Sequence, residues 1–182
     1  MTTEAPSARY FYLRRLHSLS GVAPLGLFLL DHFFTNAYSW TPRAFNEHVK
    51  ALNEIPGVQA IEWSVIIAPI LFHGGLGIWM ASRADWNQRT YSNYRNVMYA
   101  LQRLTGIVVF LFILFHLAQF RIGQEAAFKR TTLPAVSVPG QAGAEGYDPY
   151  GTIQRGLAVH WTIVPLYVLG ILASSFHFAN GI

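Results

Sequence analysis

The sequence predicts an all-α integral membrane helical bundle, with four transmembrane helices and a short amphipathic surface helix. Three observations predict it. Only 12% of the 182 residues are charged and 52% are hydrophobic, about half the charge of an ordinary soluble domain. The charges leave four long gaps, at residues 16–30, 63–82, 104–120 and 156–182. A bilayer core takes about 20 mainly apolar residues in a helix. A soluble bundle would also need polar helix faces, and these windows have almost none.

Each element follows from local residues. One domain is expected over 1–182, with helices at roughly 16–39, 60–82, 97–120 and 156–180. The first apolar run is interrupted by Asp31 and resumes to Trp40. Pro24, Asp31 and the lack of a small-residue cleavage pattern argue against a cleaved signal peptide. Thr41-Pro42 marks a helix start, with Thr as N-cap and Pro at the first helical position. Phe45, Val49 and Leu52 then recur at helical spacing, and Pro56-Gly57 stops that surface helix. Residues 131–152 hold seven Pro and Gly residues, which suits an irregular loop. Four spans return the chain to its starting side. Arg9, Arg14, Arg15, Arg83, Arg89, Arg95 and Arg103 crowd one side. Arg43, Lys50, Arg121, Lys129, Arg130 and Arg155 spread over longer loops on the other. This bias puts the N-terminus inside, in the cytoplasm.

The chemistry is bounded by one absence. There is no cysteine, so thiolate zinc sites, iron–sulfur clusters on this chain and covalent c-type haem are excluded. Low charge also argues against a nucleic-acid module. Seven histidines remain, and four of them, His32, His73, His116 and His177, lie one in each span. An ionisable residue within a span is a functional candidate. An interhelical hydrogen bond explains a lone case equally well, but one histidine on each of four helices is harder to explain that way.

Depth sorts them. His32 lies 17 residues past Arg15 and His116 lies 13 past Arg103. At 1.5 Å per residue these are about 25 and 20 Å, so both fall in the outer half. His177 lies 22 residues past Arg155, toward the inside, whereas His73 is only mid-membrane. Pairing His73 with His177 requires the fourth helix to begin above the bilayer or the second to sit shifted. Paired imidazoles from different helices suit axial ligation of haem iron, whereas zinc wants three or four converging ligands. Gly21 and Gly106, about 15–17 Å inward of His32 and His116, leave room for a flat macrocycle, or serve helix packing.

The other polar residues take supporting roles. His17 is about 60° from His32 on the helical wheel, so it supports an inner haem or binds a propionate. His160 sits near an interface, and His48 is expected to be solvated. Arg14, Arg15, Ser18, Gln102 and Arg103 are candidates for the propionates at the inner side; positive-inside anchoring explains the arginines as well. Asp31 and Glu62 are outer carboxylates that could pass protons to a quinone, or simply end their spans.

A family resemblance now becomes specific. It rests on Arg14-Arg15-Leu16-His17-Ser18 through Asp31-His32, Tyr91-Ser92-Asn93-Tyr94-Arg95-Asn96, Leu101-Gln102-Arg103-Leu104-Thr105-Gly106 through His116, and Phe176-His177-Phe178-Ala179-Asn180-Gly181. Together these resemble the dihaem cytochrome b membrane anchor of succinate dehydrogenase (complex II), in the single-chain form of Bacillus-like succinate:menaquinone oxidoreductases. The resemblance covers nearly the whole chain except the 121–152 loop, which is longer than expected.

The resemblance implies two non-covalent bis-histidine b haems. His73 and His177 would ligate the inner one, and His32 and His116 the outer one. It implies a multi-pass protein of the bacterial cytoplasmic membrane, surrounded by lipid. It further implies a flavoprotein with covalent FAD and an iron–sulfur subunit docked on the cytoplasmic face. Electrons would pass from succinate through those subunits and both haems to menaquinone. The family has a fifth transmembrane helix after the Phe-His-Phe-x-Asn-Gly motif, so the stop at Ile182 points to a partial sequence or a four-helix variant. Two other readings fit the spans: a dihaem anchor of fumarate reductase or another membrane dehydrogenase, and a haem-free transporter or scaffold.

Overall fold

The computed structural model describes residues 8–86, 90, 93–122 and 148–182. Every regular element among them is helical. Helix α1 runs Ala8–Trp40, α2 Pro42–Asn53, α3 Val58–Ser82, α4 Tyr94–Arg121, α5 Pro149–Ala158 and α6 Ile163–Gly181. Four of them, α1, α3, α4 and α6, are long and apolar enough to cross a membrane. Many large apolar side chains on these four are exposed, among them Leu27, Leu71, Leu111 and Leu172, as expected where lipid is the solvent.

Helix irregularities have identifiable causes. Pro24 lacks an N–H and crowds the preceding turn. The chain widens to a π-helical turn over Gly21–Gly26 around it, and the Leu27 N–H closes onto the Ala23 and Pro24 carbonyls. A second π-helical turn, Glu62–Ile67, precedes Pro69 in α3. The fourth span differs from the sequence expectation. It begins at Ile163 rather than near residue 156, because α5 ends at Ala158. Pro165 explains the break, since its ring would collide with the carbonyl of residue 161 in a continuous helix. The chain restarts with Ile163 N–H on the His160 carbonyl (3.0 Å) and Leu166 N–H on Thr162 (3.1 Å).

The described residues form two compact units. The first comprises residues up to 29, Gln59–Phe110 and Leu172–Ile182. Within it, the early turns of α1 pack on α3. Tyr10 meets Trp79 at 6.1 Å between ring centroids, and Arg83 caps Trp79 at 4.6 Å.

The second unit comprises Leu30–Val58 and, of Leu111–Ile171, the described residues. Here α2 packs on α5. Thr41 occupies the N-cap with extended backbone, and its carbonyl accepts from Phe45 N–H, but its side chain makes no capping bond. Phe45 is 2% exposed and faces Tyr150; burying such a ring is worth about 1.5–3 kcal/mol. Asn46 donates to Asp148 and accepts from the Tyr150 N–H. Asp148 in turn caps α5 by accepting from Gly151 N–H at 2.9 Å. Residues 149–152, expected as loop, are therefore helix: Asp-Pro is an N-cap followed by a first-turn proline. Residues 131–147 of that expected loop lie outside the described residues, as do Arg89, Tyr91 and Ser92.

Candidate functional site

The four span histidines come together as two couples, one in each unit. In the first unit, His73 of α3 and His177 of α6 lie 6.1 Å apart between ring centroids, with ring planes at 86°. In the second, His32 of α1 and His116 of α4 lie 5.8 Å apart, at 78°. A metal ion between two imidazoles, bonded to each at about 2 Å, separates the ring centres by about 6 Å. Both couples have that spacing. No group of three or more His, Asp and Glu that could hold a metal ion occurs among the described residues, and paired imidazoles are one of the ligand sets that suit haem iron.

Three of the rings are held through Nδ1. His73 Nδ1–H donates to the His17 carbonyl at 2.9 Å. His177 Nδ1–H donates to the Gln102 carbonyl at 3.0 Å. His116 Nδ1 meets the Tyr167 hydroxyl at 3.0 Å. A proton held on Nδ1 leaves the Nε2 lone pair for a metal. In α1, Asn36 Nδ2 donates to the His32 carbonyl at 2.8 Å and lies 3.4 Å from His32 Nε2.

The two glycines singled out by spacing have a definite role. A Cβ on Gly21 would strike the His73 ring, and a Cβ on Gly106 would come within 2.8 Å of His177 Cε1. They let the imidazoles of the first couple lie close against α1 and α4.

The remaining candidates fall as follows. The His17 ring stacks on His73 at 4.0 Å and 13°, and its Nε2 is buried without a hydrogen-bond partner. Gln102 bridges to α6: its amide donates to the His177 carbonyl (3.0 Å) and accepts from Asn180 (2.9 Å). Arg103 donates to the Asp85 carbonyl and lies 4.3 Å over Tyr99. Arg14 and Arg15 are exposed and lie over Tyr10 and Phe11. Ser18 and Asp31 are exposed, and Glu62 opens the π-helical turn of α3. His160 is exposed in the break before α6, against the Thr162 hydroxyl. His48 departs from expectation. It stacks on Tyr38 at 4.8 Å, and its Nε2 is buried without a partner, because α2 lays its inner face on the end of α1.

Sequence reasoning missed Ser20, Asn36, Thr105, Gln119 and Tyr167. Ser20 and Thr105 lie 3.4 and 3.5 Å from the Nδ1 atoms of His73 and His177. Position offered a signal for some of them. Asn36 follows His32 by four residues and Gln119 follows His116 by three, so each shares a helix face with its histidine.

Comparison with known proteins agrees with these features. No protein-family profile matches the chain, and no solved structure matches it. The succinate dehydrogenase cytochrome b558 subunit of Bacillus subtilis (strain 168) is 34% identical over 176 residues, which cover 96% of this chain and 77% of that protein. Identity of that extent, on a chain with four apolar spans and two histidine couples, settles the family: the protein belongs to the Bacillus-type succinate dehydrogenase cytochrome b subunits.

Proposed function

We propose that this chain is the dihaem cytochrome b membrane anchor of a succinate:menaquinone oxidoreductase. The observation that carries the reading is the pair of histidine couples, each at metal-bridging spacing with near-perpendicular rings. His73 and His177 would hold the inner haem and His32 and His116 the outer one. Bound haem supplies one-electron ferric/ferrous chemistry. The chain's own part is to hold His73, His177 and His116 by their Nδ1 protons, to set Asn36 beside His32, and to surround both couples with apolar side chains. His17 covers the outer face of His73 by stacking. Arg14, Arg15, Ser18, Gln102 and Arg103 supply donors for propionates, and Asp31 and Glu62 are the carboxylates available to protonate menaquinone. The N-terminus lies in the cytoplasm, where the flavoprotein, with covalent FAD, and the iron–sulfur subunit dock.

The experiment is purification of the tagged chain from its own membranes. Expected are a covalent-flavin subunit and an iron–sulfur subunit in the same complex, with haem bands that appear on adding succinate. A haem-bearing chain that purifies with a hydrogenase or formate dehydrogenase subunit, and whose haems stay oxidised with succinate, overturns the reading.

A further inference from the structure

His116 is held through Nδ1 by a side chain, unlike His73 and His177. His73 and His177 lean on backbone carbonyls, acceptors that no side-chain substitution removes. His116 leans on the Tyr167 hydroxyl, 3.0 Å away. The Tyr167 proton is committed elsewhere, donated to Gln119 Oε1 at 2.9 Å. Gln119 has its own orientation fixed, because its Nε2 donates to the Gly156 carbonyl at 2.8 Å. A carbonyl can only accept, so the amide nitrogen must face it and the amide oxygen must face Tyr167.

The start of this chain has a structural origin. Gly156 lies in the last turn of α5, where carbonyls have no partner within the helix. Its close approach to α4 needs the missing side chain, since a Cβ there would come within 2.6 Å of Phe120. The direction of every hydrogen bond is therefore set from Gly156 outward. Tyr167 oxygen can only accept from His116, and the His116 proton is pinned to Nδ1.

We infer that Tyr167 and Gln119 are positioning residues that fix the His116 tautomer and set the reduction potential of the outer haem alone. The inference rests on the dihaem reading. An acceptor on Nδ1–H makes an imidazole a stronger donor to iron, which favours the ferric state. A phenol whose own proton is drawn off by an amide is a better acceptor than a free one. Removing it weakens that donation and raises the potential.

The test is a redox titration of the purified complex carrying Tyr167→Phe, beside Gln119→Leu. Wild-type complex without any b-type band would sink the dihaem reading itself, before the relay is in question. With two haems present, Tyr167→Phe is expected to keep both and to raise the midpoint of one while leaving the other fixed. Gln119→Leu, which leaves the phenol free to reorient, is expected to shift the same haem. Unmoved midpoints in both variants overturn the inference. So does an equal shift of both haems, or loss of haem with no shift in what remains, since each marks a merely structural contact.

Discussion

His116→Ala is expected to remove one haem and spare the other. The reason is the separation of the donors into two couples. His116 faces His32 at 5.8 Å, and no third imidazole, thiolate or carboxylate cluster among the described residues is arranged to replace it. Alanine cannot ligate, and His32 alone would be left to hold the haem. His73 and His177 belong to the other compact unit, where their rings rest on the backbone of His17 and Gln102. The measurement is haem content per chain together with the reduced-minus-oxidised spectrum. Half the haem is expected, with one component of the α-band gone and menaquinone reduction by succinate lost. Retention of both haems would refute the pairing.

Gly106→Val is expected to remove the other haem. A side chain at position 106 meets His177 Cε1 at 2.8 Å and Nδ1 at 3.2 Å. The ring cannot retreat without giving up its bond to the Gln102 carbonyl, and the His177 backbone is itself tied by the Gln102 amide. Magnitudes separate haem loss from unfolding. Overpacking costs about 1–3 kcal/mol, while replacing a mid-helix glycine recovers part of about 1 kcal/mol in helix propensity. The helix persists and the ring moves. The variant should therefore assemble in the membrane at near-normal level with one haem, the outer one. Gly75→Ala is the control, because a Cβ there meets nothing within 4 Å, and it should keep both haems. Two haems in the valine variant would show that His177 is not seated on α4 as described.

The spans were legible from charge alone, because lipid tolerates almost no unpaired charge and the chain must confine it to span ends. That His32 and His116 meet was legible by the same scale, since Arg15 and Arg103 lie on helices that run on to them. The meeting of His73 and His177 was not. Its depth was reckoned from Arg155, but the helix breaks after Ala158 and restarts at Ile163. Counted from the observed starts, His73 is 15 residues into α3 and His177 is 14 into α6, so the mismatch vanishes. The signal for that break was Pro165, which the unbroken apolar composition around it concealed.

Hydrogen-bonded partners were the least legible. Tyr167 is one hydroxyl in an apolar helix, and its approach to His116 depends on how α6 packs on α4 within the unit. No spacing along one chain encodes that. Pro24 and Pro69 were visible, but the π-helical turns that accommodate them were not, because composition does not tell a widened turn from a kink.

The central claim is two bis-histidine haem sites on one chain of 182 residues. The most direct measurement is haem extracted and quantified as its pyridine complex against protein mass, joined to low-temperature EPR of the oxidised complex. The account predicts two haems b per chain, both low-spin ferric, with the strong anisotropy that near-perpendicular ligand planes produce. A ratio of one or none, or a high-spin signal with an open axial position, would contradict it.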